Sequence, residues 1–406
     1  AIFELTYNEV CLMDAQQREL LITATDALRN TGVVSSSYSL KDTSVGVYVG
    51  ISSMDHQKVI ESRNVSLGHF SATGGALSVA AGRLAYVHGL TGPAVSVDTA
   101  CSSSLVALQA AVATNMSLHS NVKYGGGTAV VAGVNLLQAP ETTAMFTCAG
   151  MIAADGRCKT LDIDARGYTR GEACAAFLII DRAMAKAENI ASTSTLIAGV
   201  FVNQDGRSGA LTAPNGPAQQ DVIRGALNSS KASIDAVAEV TMHGTGTPLG
   251  DPIEVGAISA VLNHQTSRPV TLSAPKSILG HGEPAAGACS ILHAVASLQL
   301  STAPPNMHLR QLNEHVITVQ VMRLPELAKL CTYRVMAMRG ALRRNEPVIS
   351  VSAFAFQGTN ALQSATLGSG VVSINSNAFS GSGLSSVAFG SAVTTIGASA
   401  FSSTSL

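Results

Sequence analysis

The chain has 406 residues, enough for more than one compact domain. Its 25 basic residues nearly balance 26 acidic ones, which leaves no electrostatic footprint for nucleic acid or an anionic membrane surface. Charged residues make up only 13%, about half of the usual ~25%, which points to a high ratio of buried to exposed surface. No apolar run reaches the ~18 residues of a membrane span, and no signal peptide is visible. Seven cysteines, an odd number without a C-x-x-C pair, fit reduced thiols in a cytoplasmic setting better than a disulfide framework.

In chain order, the apolar periodicity predicts helices over 16–28, 77–86 and 103–114, interleaved with strands at 45–49, 95–97, 129–132 and 175–180. A second series follows, with strands at 195–202, 238–242 and 348–352 and helices at 217–227, 253–262 and 285–300. This alternation is α/β, and it divides the chain into two halves of similar plan, 1–191 and 192–363.

Three motifs carry chemistry. Cys101 lies in Val97-Asp98-Thr99-Ala100-Cys101-Ser102-Ser103-Ser104-Leu105, at a turn between a predicted strand and a predicted helix. A thiol at a helix N-terminus feels the positive end of the helix dipole, so it is expected to be the most nucleophilic cysteine of the chain. His243 opens His243-Gly244-Thr245-Gly246-Thr247, where a strand gives way to a glycine-threonine loop. His281 closes Lys276-Ser277-Ile278-Leu279-Gly280-His281, just before another predicted helix. A lone cysteine or histidine is usually structural, but three such groups at loop junctions form a candidate constellation.

With these motifs, the chain resembles the β-ketoacyl synthases, and among them the ketosynthase domains of type I and modular polyketide synthases. The resemblance spans about 1–362 and includes Met13-Asp14-Ala15-Gln16-Gln17-Arg18, Asp155-Gly156-Arg157-Cys158-Lys159, Gly167-Tyr168-Thr169-Arg170-Gly171-Glu172, Asn203-Gln204-Asp205-Gly206-Arg207, Leu211-Thr212-Ala213-Pro214-Asn215 and Phe356-Gln357-Gly358-Thr359-Asn360. It implies the thiolase fold, two pseudo-symmetric βαβ halves in αβαβα layers. It also implies a decarboxylative Claisen condensation in polyketide or fatty acid synthesis. Cys101 would carry the acyl group as a thioester, His243 and His281 would stabilise the malonyl enolate, and Lys276 would organise them. The backbone N–H groups of Cys101 and Phe356 would form the oxyanion hole. Thr212, Thr245 and Thr247 would contact the phosphopantetheine arm of an acyl carrier protein. The implied partners are that carrier protein and a second copy of the chain in a homodimer, with no bound metal or organic cofactor.

The chain begins just before Met13-Asp14, where family members carry several dozen further residues, and is expected to be an N-terminally truncated example. Pro284, in place of a helix former, is expected in the first turn of the following helix. From 364 onward the composition shifts to Ser, Gly, Ala and Val, and Val371, Ile374, Ala378, Phe379 and Leu384 recur 22 residues later as Val393, Ile396, Ala400, Phe401 and Leu406. This resembles leucine-rich repeats. Fewer than two such repeats are expected to form a flexible tail without a core of its own. The alternative function is a catalytically inactive ketosynthase remnant that serves as a scaffold or binding module fused to repeats.

Overall fold

A computed structural model describes residues 3–30, 44–117, 127–181, 195–262, 269–317, 322–323, 333–334, 349–351, 364–366, 371–374, 379–380, 385–388 and 395–404. The chain divides into two compact units, Ala1–Pro325 and Glu326–Leu406.

The first unit begins with helices α1 (Tyr7–Leu12) and α2 (Ala15–Asn30), strand β1 (Gly46–Gly50), and helices α3 (Asp55–Ser62), α4 (Ser71–Gly75) and α5 (Leu77–His88). Strand β2 (Ala94–Val97), helix α6 (Ser103–Ser117), strand β3 (Thr128–Asn135), helix α7 (Pro140–Cys148) and strand β4 (Ala173–Ile180) follow. The sheet order is β2-β1-β3-β4, with β4 antiparallel to β3 and the other pairs parallel. Every residue of β1 and β3 is buried, so these strands serve two cores at once, which is why they read as almost unbroken apolar runs. Val47, Val49, Val130, Ala132 and Val134 meet Leu20, Leu21 and Leu84 on one face. Tyr48, Ala129 and Val131 meet Ala107, Leu108 and Ala111 of α6 on the other.

The second half of this unit carries α8 (Gly216–Ser230), β5 (Glu239–Thr241), α9 (Gly250–Leu262), β6 (Val270–Ser273), α10 (Lys276–Leu279), α11 (Ala286–Leu300), α12 (Glu314–Ile317) and β7 (Met322–Arg323). β5, β6 and β7 form a parallel sheet, and Val255, Ile258, Val261 and Leu262 of α9 cover Val270 and Leu272 of β6. Asn215 caps α8 by accepting the Ala218 N–H, as a side chain at that position should. The stretch 195–202, expected to be a strand, has no regular structure and leaves Leu196, Ile197, Phe201 and Val202 exposed. It pairs with no strand among the described residues, and a β-prone sequence becomes a strand only when a neighbour completes its ladder.

Two glycines set the geometry that matters for chemistry. A Cβ on Gly50 of β1 would lie 2.5 Å from Ser104 N, and one on Gly133 of β3 would lie 2.8 Å from Ala285 Cα. Their bare backbones therefore admit the start of α6 and the turn before α11 onto the same sheet.

In the second unit, β8 (Tyr333–Arg334), β10 (Ser364–Thr366) and β12 (Ser386–Ala388) form one parallel ladder, and β9 (Ile349–Val351), β11 (Val371–Ile374) and β13 (Thr395–Ile396) form another. Ser364 pairs with Ser386 and Ser373 with Thr395, so the 22-residue period of the sequence is the step from one rung to the next. The Phe379 and Phe401 rings stack 5.1 Å apart at 4°, and Phe379 is fully buried. The expectation of a tail too short to bury a core is corrected here, because β9 extends the stack back to 349 and supplies a further rung.

Gly50→Ala should lower stability by about 1–3 kcal/mol, because the new methyl meets backbone rather than a side chain that can move. Gly82→Ala, in α5 with nothing within 4 Å of its Cβ position, should be neutral or stabilise by about 0.5–1 kcal/mol. Urea unfolding of both variants checks the contrast, and equal midpoints would contradict it.

Candidate active site

β2 ends at Val97, and the chain passes through a 3-10 turn at Ala100–Ser102 into α6. Ala100 has φ +54°, a left-handed conformation that costs a residue with a Cβ about 1–2 kcal/mol. Hydrogen bonds hold it there. Ala100 N donates to Asp98 Oδ1 at 3.1 Å, Ser103 Oγ donates to Ala100 O at 2.6 Å, and Thr99 N donates to Ser103 Oγ at 2.9 Å. The serines after Cys101 are thus structural ties as well as small residues. Ser104 Oγ makes a longer reach, accepting the Ala288 N–H of α11 at 3.0 Å.

His243 follows β5 at the start of a loop with two left-handed glycines, Gly244 at φ +50° and Gly246 at φ +74°. Two carboxylates of α9, Asp251 buried and Glu254 half-buried, fix that loop. Glu254 accepts from His243 N at 2.5 Å and Gly244 N at 2.9 Å, while Asp251 accepts from Gly246 N at 3.1 Å and Leu161 N at 2.8 Å. His281 follows α10 and Gly280, and its backbone is bridged to the 169–171 segment: His281 N donates to Thr169 O at 2.7 Å and Gly171 N donates to His281 O at 2.9 Å. Its Nδ1 accepts the Glu283 N–H at 3.1 Å, so the proton of the neutral ring sits on Nε2. Pro284 occupies the short 3-10 turn Glu283–Ala285 ahead of α11, where its missing N–H is not needed, as the sequence suggests.

These segments bring Cys101 Sγ and a ring nitrogen of each histidine within 4.8 Å of one another. The two imidazoles meet edge to face, 5.6 Å between centroids at 88°, and Tyr168 stacks edgewise on His281 at 5.0 Å. Lys276, at the start of α10, is buried. Burial followed by the Lys276 charge pushes the His243 pKa down to about 3 and the His281 pKa down to about 2; His281 is buried, whereas His243 is exposed as a residue, so desolvation is the more complete at His281. Both rings are therefore neutral hydrogen-bond donors at pH 7. Burial also raises the Cys101 thiol, with Lys276 opposing it. Cys101 thus stands just ahead of α6, where a helix dipole favours thiolate, but desolvation outweighs the nearby positive charge and holds its pKa up.

Other residues singled out by the sequence fall in different places. Thr245 is buried, and its Oγ1 lies 3.3 Å from Thr247 Oγ1, which also accepts the Gly250 N–H at 3.1 Å. Thr212 is exposed in a turn beside Leu211, and no contact places it at the cysteine-histidine cluster. Phe356 lies outside the described residues. Sequence reasoning gave no role to Asp251, Glu254, Tyr168 or the Arg170–Glu283 pair. Tyr168 and Arg170 stand inside a motif already singled out, 167–172, while Asp251 and Glu254 are signalled only as charges in a chain 13% charged.

At pH 7.5, iodoacetamide should modify the exposed Cys11 and Cys148 ahead of Cys101. Lys276→Ala removes the charge that lowers the Cys101 pKa, so the pH midpoint of Cys101 alkylation should move upward. Peptide mass spectrometry across pH 6–10 reads this, and a downward or absent shift would contradict the electrostatic explanation.

The model of the β-ketoacyl synthase N-terminal domain matches residues 1–185, that of the C-terminal domain matches 195–310, and that of the BspA-type leucine-rich repeat region matches 342–406. Phe356 thus falls inside the repeat match, beyond the ketosynthase match. The chain is 38% identical over 318 residues to a phenolphthiocerol/phthiocerol polyketide synthase of Mycobacterium tuberculosis, covering 77% of this chain and 14% of that protein. It is 35% identical over 316 residues to the erythronolide synthase EryA2 of Saccharopolyspora erythraea, covering 77% and 9%. Among solved structures, the ketosynthase from module 6 of the bacillaene synthase of Bacillus subtilis 168 is similar at TM-score 0.70 and 30% identity, covering 80% of this chain and 54% of that one. An oxazolomycin ketosynthase domain of Streptomyces albus JA3453 is similar at TM-score 0.72 and 26% identity, covering 80% and 55%. The chain spans about half the length of these ketosynthases and a small fraction of the polyketide synthases. The match in sequence and in the layered α/β structure, with the three motifs gathered at one point, shows that this chain belongs to the β-ketoacyl synthase family, in the thiolase-fold branch found in polyketide synthases, and carries leucine-rich repeats after it.

Proposed function

We propose that the chain catalyses decarboxylative condensation of an acyl group held on Cys101 with a malonyl thioester on an acyl carrier protein. The observation that carries this reading is the convergence of one thiol and two neutral imidazoles within 4.8 Å. In the first stage, Cys101 Sγ attacks the acyl thioester, the acyl–sulfur bond to the carrier arm breaks, and the thiol proton leaves with the arm's sulfur. In the second, the malonyl carboxylate departs as carbon dioxide and its electron pair moves onto the thioester oxygen. His243 and His281 donate to that oxygen, stabilising a charge that exists only as the reaction proceeds. The enolate carbon then attacks the Cys101 thioester, and cysteine thiolate is released as the 3-oxoacyl product forms. Imidazolium at these positions would instead tend to lose its proton to the enolate, so the depressed pKa values suit the task.

The backbone N–H of Cys101 supplies a donor for the tetrahedral intermediate. By the family resemblance, Thr212, Thr245 and Thr247 are the contacts for the phosphopantetheine arm. Lys276 holds the site electropositive for the incoming carboxylate. A homodimer is proposed through β2, whose outer edge meets no strand among the described residues and whose Val95 is 37% exposed. No helix among the described residues is long and apolar enough to cross a membrane.

His243→Ala and His281→Ala should each lower malonyl decarboxylation by at least ~10²-fold while Cys101 still accepts an acyl group, the size expected for loss of one preorganised donor. Carbon dioxide release and intact-protein mass report the two stages separately. Parallel loss of acylation in both variants would overturn the division of labour.

A further inference from the structure

Cys101, His243 and His281 are, in donor type and spacing, a set that a zinc-like ion could bind, yet the reaction needs the imidazoles as N–H donors. One nitrogen cannot do both: metal ligation requires a lone pair where enolate stabilisation requires a proton. On the reading of the site given above, we propose that the Arg170–Glu283 ion pair is a positioning device that holds His281 as an Nε2–H donor and keeps the cluster closed to metal ions.

The chain of contacts is short. Glu283 N–H donates to His281 Nδ1 at 3.1 Å, which occupies that lone pair and leaves the ring proton on Nε2. Ligation through Nε2 would move the proton to Nδ1, where it would face the Glu283 N–H, donor against donor. The lock therefore lasts as long as the Glu283 backbone keeps its orientation. Glu283 has φ +43°, a conformation a residue with a Cβ does not adopt without restraint. The restraint is its own carboxylate: Arg170 Nε donates to Glu283 Oε1 at 2.5 Å and Arg170 Nη2 to Oε2 at 2.9 Å, a two-pronged grip. Arg170 is in turn fixed by donation from Nη1 to Thr143 Oγ1 at 2.8 Å and by its place over the Phe146 ring, 5.4 Å from the centroid. Its side chain is 3% exposed and that of Glu283 14%, so water does not compete for the pair. The same arginine bridges to His281 through the backbone, so ring and lock move together. Neither residue touches the reacting atoms.

The test uses the full chain and cobalt(II) as an optical stand-in for zinc, read by the thiolate-to-cobalt charge-transfer band. Binding of this probe does not depend on condensing activity, so failure here is separable from failure of the proposed function. The native chain should show no cobalt band that requires Cys101. Arg170→Gln should acquire one, and the double variant Arg170→Gln/Cys101→Ser should lose it. Arg170→Lys, which keeps the charge but grips with one prong, should fall between. Glu283→Gln is the second single variant should Arg170→Gln not fold, and it should behave likewise. Malonyl decarboxylation should fall by ~10-fold or more in the variants that gain the band. A Cys101-dependent band in the native chain would overturn the proposal, as would folded Arg170→Gln or Glu283→Gln protein without one.

Discussion

Two helix starts meet over bare backbone, and the rest of the site depends on that meeting. Gly50 and Gly133 let the beginning of α6 and the turn before α11 lie directly on β1 and β3, and Ser104 Oγ then takes the Ala288 N–H across the gap. Cys101 precedes one helix and His281 the other, so this hydrogen bond and the two absent side chains help to set the distance between them. The strain at Ala100 and Glu283 follows from the same constraint. Each chain segment must turn sharply to present a side chain above the sheet, and hydrogen bonds at Ala100 and an ion pair at Glu283 keep the left-handed turns in place.

Burial, rather than charge, governs the electrostatics. The Cys101 thiol is raised, both histidines are lowered, and Lys276 itself is lowered, all chiefly by desolvation. The resulting set is nearly charge-free at rest: thiol, neutral imidazoles, and a lysine whose charge is the exception. Such a site suits the proposed reaction, in which neutral donors meet negative charge that appears only as the reaction proceeds. Asp251, raised by burial to about 6, and Glu254, also raised, spend their hydrogen bonds on the His243 loop.

Much of this was legible in the sequence. β1 and β3 were readable because burial on both faces leaves long apolar runs, α6 because it is an unbroken run of helix formers and small residues, and the three motifs pointed to the cysteine and two histidines that the fold gathers at one point. The ionisation of Cys101 was not, because a helix dipole can be inferred from sequence while the depth of a thiol cannot. Nor was 195–202, whose β-prone residues say nothing about whether a partner strand is at hand. Phe356 shows a different limit, since two patterns claim it. Ala355-Phe356 reads as a ketosynthase loop, but it also stands 23 residues before Ala378-Phe379, which stands 22 before Ala400-Phe401. The ladder between β9 and β11 shifts by one residue between Val371 and Ser373, which turns an offset of 22 into 23 and accounts for the unequal spacing. The repeat itself was visible by period, while its extent was hidden by that extra residue.

The most direct measurement is mass spectrometry of the carrier protein after the full chain is mixed with a short acyl-carrier-protein thioester and isotopically labelled malonyl-carrier protein. The expected product is a 3-oxoacyl carrier protein longer by the two labelled carbons, formed with release of one carbon dioxide and absent with Cys101→Ser. Acyl transfer to Cys101 with malonyl-carrier protein left unchanged, or product formation without Cys101, would contradict it.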